Sequence, residues 1–275
     1  MNRITEAFHR RKALIPFITG GDPDMAVTEE LIYALIDAGA DLEEIGLPFS
    51  DPIAEGPVIQ AADERALRAG CTADKLFTLV RRVRRRTNIP LLFMTYLNPV
   101  FTYGSRRFME NCADCGVDGL ITPDMPWEER GELAADSAAC GVTLISMLAP
   151  TSAGRVRQIA ASAEGFLYCV SSLGVTGERQ EIGRAAADII ARARTVTNLP
   201  CAIGFGISTP AQAGAMAALA DGVIVGSAIV RLVAENGAAS VAPVREFVRG
   251  LRAAIDAGSG TAGAGLETRE GEIHV

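Results

Sequence analysis

Histidine and lysine are almost missing from this chain of 275 residues. The two histidines, His9 and His274, lie near the two ends, so neither a histidine-centred triad nor a His-rich metal site is available. The two lysines are Lys12, before the first apolar run, and Lys75, in a helical segment. No strand end therefore offers a Schiff-base lysine for aldolase or pyridoxal phosphate chemistry. Carboxylates alone could hold magnesium, but no metal is expected. Disulfides are not expected either, because the six cysteines (71, 112, 115, 140, 169 and 201) are scattered through apolar or helical contexts. Cys112 and Cys115 form a lone C-x-x-C, but at the end of a helical segment before Gly116. There the helix dipole gives a thiolate no support, and the pair reads as structural. Long hydrophobic runs are absent too. None approaches the roughly 18 residues of a membrane span, and "MNRITEAFHRRK" lacks the apolar middle of a secretory signal, so a cytoplasmic location is expected. With a formal net charge of −7 and no basic patch interleaved with aromatics, neither nucleic acid nor an anionic membrane suits the chain as a partner.

What is present is a large apolar fraction, 49% of residues, cut into short runs. They are 13–19 (ALIPFIT), 42–47 (LEEIGL), 90–96 (PLLFMTY), 119–123 (GLITP), 142–150 (VTLISMLAP), 166–172 (FLYCVSS), 201–206 (CAIGFG) and 222–226 (GVIVG). Between them the spacing turns helical. Val27, Leu31, Ala34, Leu35 and Ala38 recur on one face, as do Val241, Val244, Phe247, Val248, Leu251 and Ile255 near the end. The phrases "DAGADLEEI", "DCGVDGLI" and "LADGVIV" mark helix-to-strand joints, where glycine supplies the helix C-terminal turn. Eight strands each followed by a helix predict a single α/β (β/α)8 TIM barrel, a fold of about 250 residues, over residues 1–257. A doubly wound open sheet is the alternative. Residues 258–275, small and polar, read as a flexible tail.

Active sites of such barrels lie at the C-terminal ends of the strands. Glu44 stands inside the second run, with Leu42, Glu44 and Gly46 on one face and Glu43 and Ile45 on the other. Only one of the two glutamates can point to the barrel axis. Asp51 and Glu55 follow in the next loop, which favours a catalytic Glu44 over a merely structural carboxylate. The last two runs end in "GFGIS" and "VGSAIV", Gly-rich turns suited to backbone binding of a phosphate. The loop "SSLGVTGERQE" after the sixth run suits a lid. The basic run "RRVRRR" (81–86) reads as the solvated end of a helix. What remains is carboxylate acid/base chemistry on a phosphorylated substrate that supplies its own electron sink.

In "PFITGGDP", "EIGLPFSDPIAEGPVIQ", "TYLNPVF", "LGVTG", "GFGIS" and "GSAIV", taken in order, the chain resembles the α subunit of tryptophan synthase over about residues 1–257. The resemblance implies a lyase that cleaves indole-3-glycerol phosphate to indole and glyceraldehyde 3-phosphate. It further implies an α2β2 complex whose β subunit carries the pyridoxal phosphate and receives the indole, with no cofactor in this chain. By the same resemblance Glu44 is the proton shuttle and Glu55 the second catalytic carboxylate, although the family's motif "SDPLADGP" carries Asp at that position. Phe17, Ile59, Tyr96, Ile121, Tyr168, Phe205 and Ile224 would line the substrate pocket, with Thr176 in the lid. Gly177, Gly204, Gly206, Gly226 and Ser227 would cradle the phosphate, and Pro48, Phe49, Asp51 and Asn98 would meet the β subunit. Two alternatives stay open: a catalytically impaired subunit that only activates a β partner, and a free-standing indole-releasing lyase.

Overall fold

A computed structural model describes residues 2–152, 154–170, 179–204 and 206–260. The apolar runs form parallel strands: β1 (Ala13–Thr19), β2 (Glu43–Gly46), β3 (Leu91–Met94), β4 (Gly119–Ile121), β5 (Thr143–Leu144), β6 (Ser146–Leu148), β7 (Leu167–Val170), β8 (Cys201–Gly204) and β9 (Gly222–Val225). Their order is β5-β4-β3-β2-β1-β9-β8-β7-β6. The first strand pairs with the last, Ala13 opposite Gly222 and Ile15 opposite Ile224. An open doubly wound sheet has no such pairing; a barrel requires it. β5 and β6 are two halves of the fifth predicted strand, parted at Ile145. The first half pairs with β4 and the second with β7, so one strand closes the ring by changing partners midway.

Alternation then sorts side chains between two layers. Inside lie Ala13, Ile15, Leu42, Leu92, Ile121, Tyr168, Ala202 and Ile224. The helix Arg3–Arg10 adds Ile4 and Ala7 to this cluster, and Phe8 stacks on Phe166 with ring centroids 5.3 Å apart, so the helix plugs the end where the strands begin. Outside, Leu14, Ile18, Ile45, Phe93, Leu120 and Val223 pack against the helix shell, among it Leu31, Leu35, Val80, Phe108, Val248 and Leu251. The shell helices carry local start and stop signals. Asp24 accepts from the Ala26 and Val27 N–H groups, and Thr209 and Gln212 form a reciprocal capping box. Gly116 ends the helix Ser105–Cys115 at φ 91°, a conformation that a side chain would strain. Cys112 and Cys115 are buried at the end of that helix with free thiols.

The recurring helix-to-strand phrases have a common use that their glycines did not reveal. Asp41, Asp118 and Asp221 each accept a backbone N–H at the start of a neighbouring strand, from Leu14, Leu91 and Cys201 at 2.9, 2.9 and 3.0 Å. Each also meets cations: Asp41 with Arg11 and Arg252, Asp118 with Arg3 and Arg84, Asp221 with Lys12 and Arg194. This corrects the reading of the basic run. Arg81, Arg82, Arg85 and Arg86 are exposed, but the helix ends at Val83, and Arg84 turns inward to Asp118 and to the carbonyls of Gly116 and Ile89. The last helix runs Val241–Gly260, three residues past the expected end of the barrel domain at Ala257. Residues 261–275 lie outside the described residues. Among those described, no helix is long and apolar enough to cross a membrane.

Candidate active site

Glu44 occupies β2 between Phe17 of β1 and Leu92 of β3 in register, on the same face as the interior Leu42. It is fully buried, and neither carboxylate oxygen has a hydrogen-bond partner. Removing the carboxylate from water without compensation disfavours its charged form, so burial raises its pKa to about 8. Its charge in turn opposes ionisation of the Tyr168 hydroxyl, which burial already pushes up. Two neutral, protonated groups therefore share the apolar interior at neutral pH. Glu43 is also fully buried and unpartnered, but on the opposite face with Ile45, towards the helix shell. Burial raises its pKa as well. Alternation separated the two glutamates correctly, yet neither points to solvent.

Glu55 closes the loop after β2. Its Oε2 accepts the Tyr96 hydroxyl at 2.9 Å, and the Tyr96 oxygen accepts the Ala54 N–H at 2.9 Å. Gln60 adds a bond from its side-chain amide to the Glu55 carbonyl at 2.8 Å. Burial raises the Glu55 carboxyl, the Tyr96 hydroxyl pulls it down, and Asp124 pushes it up. Asp124, in the turn after β4, accepts the Leu97 N–H at the start of the helix Leu97–Tyr103. Tyr96 is thus fixed from both sides, and its ring meets Phe49 at 5.5 Å between centroids. Glu44 sits in an apolar, unbonded setting, whereas Glu55 has a hydroxyl that favours its charge. Such a difference separates an acid from a carboxylate at one pH.

The apolar candidates fall into two groups. Ile121, Tyr168 and Ile224 belong to the barrel interior, while Phe17 clusters with Ala62, Val230, Val58 and Ile59 above it. Gly204 is buried at the end of β8, where an added Cβ would stand 2.7 Å from the Tyr168 hydroxyl oxygen. Gly206 is exposed at φ 74°, a turn conformation that favours glycine. Gly226 precedes the helix Ser227–Asn236, which no side chain caps, and its added Cβ would press on Phe17. Ser227 is exposed. Thr176, Gly177 and Phe205, with most of the expected lid, lie outside the described residues. Among the described residues no group of His, Cys, Asp and Glu is disposed to hold a metal ion.

Pro48 and Phe49 are half-buried, and Asp51 and Asn98 exposed, on the rim beside this site. An open cleft of about 840 Å³ runs along Phe49, Asp51, Pro57, Gln60, Glu64 and Leu67. Two apolar residues not singled out in the sequence are also exposed, Ile53 (81%) in the loop after β2 and Phe101 (46%) in the helix Leu97–Tyr103. Asp63 and Asp124 were not singled out either. The available sign for Asp63 was a charge on the small-residue face of a helix, between Ala62 and Ala66.

The family model for the tryptophan synthase alpha chain matches residues 5–255. The tryptophan synthase alpha chain of Lacticaseibacillus casei is 46% identical over 257 residues, 94% of this chain and 97% of the relative. That of Halorhodospira halophila is 49% identical over 265 residues, 93% and 97% of the two chains. The crystal structure of tryptophan synthase subunit alpha from Legionella pneumophila str. Paris superposes with a TM-score of 0.85 at 36% identity, covering 94% of this chain and 99% of that one. A chain of the tryptophan synthase complex from Pyrococcus furiosus does so with a TM-score of 0.80 at 34% identity, covering 88% and 98%.

Proposed function

Since the chain belongs to the tryptophan synthase alpha chain family, we propose that it is the lyase that cleaves indole-3-glycerol phosphate into indole and glyceraldehyde 3-phosphate. The observation that carries the reading is Glu44: a carboxyl inside the barrel, unpartnered, holding its proton to about pH 8. A retro-aldol cleavage without a lysine or a metal needs an electron sink in the substrate. Glu44 supplies it by giving its proton to indole C3, which turns the ring into an indolenine with a positively charged N–H. The resulting Glu44 carboxylate then takes the proton of the side-chain hydroxyl. The C3–C bond breaks with its electron pair returning to the ring, and an aldehyde and indole leave with Glu44 reprotonated.

Glu55 supplies the counter-charge. Ionised and steadied by the Tyr96 hydroxyl, it accepts the indole N–H and offsets the positive charge that develops there. Phe17, Ile59, Ile121, Tyr168 and Ile224 offer the apolar walls an indole ring needs. Phosphate recognition falls to backbone N–H groups at Gly206 and at the uncapped helix start after Gly226. Gly204, packed on Tyr168, shapes the wall beneath. For the partner, the exposed rim of Asp51, Ile53, Asn98 and Phe101 offers a β subunit a docking face beside the loop that carries Glu55.

Indole release by the purified chain, with and without a cognate β subunit, tests this reading. Slow release alone and faster release in the complex are expected, because docking on that rim orders the loop. Equal rates with a bound β subunit would point to a free-standing lyase, and no release under either condition to a subunit that only activates its partner.

A further inference from the structure

β1 lies between β2 and β9. It therefore stands between the strand of Glu44 and the strand that leads into Gly226 and the helix Ser227–Asn236. Its interior face reads Ala13, Ile15, Phe17 and Thr19, and the first three join the apolar clusters of the interior and of the layer above it. Thr19 is the polar member and the last of the strand. It sits in register with Gly46, two residues beyond the pair of Phe17 and Glu44, and is 2% exposed. Its Oγ1 has no hydrogen-bond partner among the described residues. The buried Thr28 hydroxyl, by contrast, donates to the Asp24 carbonyl at 2.7 Å and accepts the Gly21 N–H at 2.9 Å. The backbone around Thr19 is fixed: its carbonyl accepts the Asp22 N–H at 3.2 Å, and the Gly20 N–H reaches the Gly46 carbonyl at 2.8 Å. At the level of Thr19, β2 carries only the bare backbone of Gly46. An added Cβ at Gly46 or Gly226 would stand 2.8 or 3.3 Å from Phe17 ring atoms, so the ring reaches towards both neighbouring strands. A buried hydroxyl without a partner costs folding free energy, and a β-branched side chain holds it in few directions. At the catalytic end of a barrel such a group is placed to bond a substrate.

We propose that Thr19 is a substrate-binding residue that reads the glycerol chain of the substrate through its hydroxyl. The role rests on the assignment of Glu44 as the acid and of the helix start after Gly226 as the phosphate site. With indole C3 at Glu44 on β2 and the phosphate at the end of β9, the glycerol chain that joins them crosses the end of β1. Glu44 takes the proton of the hydroxyl next to the ring. The middle hydroxyl remains, and Thr19 Oγ1 bonds it. That bond holds the chain so that the breaking C–C bond and the Glu44 carboxylate stay aligned. It also selects a hydroxylated linker over a bare one, because a methylene leaves the Thr19 hydroxyl unpaired.

Thr19→Val keeps the shape and removes the hydroxyl, while Thr19→Ser keeps the hydroxyl. With β subunit saturating, kcat/KM for indole-3-glycerol phosphate should fall about fivefold in Thr19→Val, the worth of one neutral hydrogen bond, and stay within about twofold in Thr19→Ser. The ligand 3-(indol-3-yl)propyl phosphate keeps the ring and the phosphate but has neither hydroxyl. Calorimetry should give it Kd values within about twofold of each other in the parent and in Thr19→Val. Because the hydroxyl has no partner within the described fold, Thr19→Val should unfold in urea at the parental midpoint or above it. Parental kcat/KM in Thr19→Val, an equal loss in Thr19→Ser, an equal loss of affinity for the propyl ligand, or a Thr19→Val that misfolds or has a lowered urea midpoint overturns the proposal. A parent that releases no indole contradicts the lyase reading, and calorimetry then decides on Thr19 without turnover. Tighter binding of indole-3-glycerol phosphate than of the propyl ligand, lost in Thr19→Val, supports the role; no such preference, or one that survives in Thr19→Val, overturns it.

Discussion

In the proposed reaction Glu55 supplies charge in a fixed place, on a side chain one methylene longer than the aspartate of the family's motif. The longer side chain does not reach into solvent; it folds onto the Tyr96 hydroxyl. Charge is then the property that matters. Glu55→Gln should lower the cleavage rate at least about tenfold, roughly 1.4 kcal/mol of transition-state stabilisation, and Glu55→Asp should cost less, as steady-state assays of both variants with bound β subunit will show. Glu43 makes the opposite case, a buried carboxyl with no partner on the shell side of β2. In the unfolded chain a glutamate ionises near 4.5, and in the fold burial holds the proton to higher pH. The folded state thus binds the extra proton, and stability falls as pH rises from about 4.5 through the raised folded value. Glu43→Met, of similar length and without the polar atoms, should be more stable by about 1–3 kcal/mol. The gain should be larger at pH 8 than at pH 5 in urea denaturation. Alternation along a strand assigned the two glutamates to opposite faces, because that depends only on backbone geometry. That the outer face is also dry depends on which helix covers it, which local spacing does not carry.

At the scale of elements, the apolar runs foretold every strand, since strands of a parallel barrel are covered on both faces. The break of the fifth run at Ile145 was not legible. It comes from the need of one strand to pair with β4 at its start and with β7 at its end. The arginine run was misread at Arg84 for a similar reason: its use depends on Asp118, thirty-four residues on. Asp118 ties the starts of two strands together, taking the Leu91 N–H and the guanidinium groups of Arg84 and Arg3. Asp118→Ala leaves Arg84 half-buried without its counter-charge and should cost about 3 kcal/mol in urea denaturation. Because Asp118 lies at the N-terminal end of the strands, away from the reacting end, kcat of the folded fraction should be unchanged.

In the whole molecule the two ends of the barrel divide the work. Aspartates and arginines fasten the end where strands begin, and the other end gathers Glu44, Glu55 and the glycines of the last two turns. The proposed reaction asks for a protonated Glu44 and an ionised Glu55: burial holds the proton on Glu44, while at Glu55 burial also raises the carboxyl and the Tyr96 hydroxyl works against it. Glu44 loses its proton as pH rises past about 8. Glu55 gains one as pH falls towards its own raised value, above 4.5. A bell-shaped rate profile follows, with the alkaline limb set by Glu44 and the acid limb by Glu55. Glu44→Gln removes the transferable proton while leaving volume, burial and fold in place. Single-turnover cleavage of indole-3-glycerol phosphate by Glu44→Gln in the β-bound complex therefore tests the account most directly. The rate should fall by about 10²- to 10⁴-fold, the usual worth of a general acid, with substrate still bound; cleavage within about twofold of the parent would contradict it.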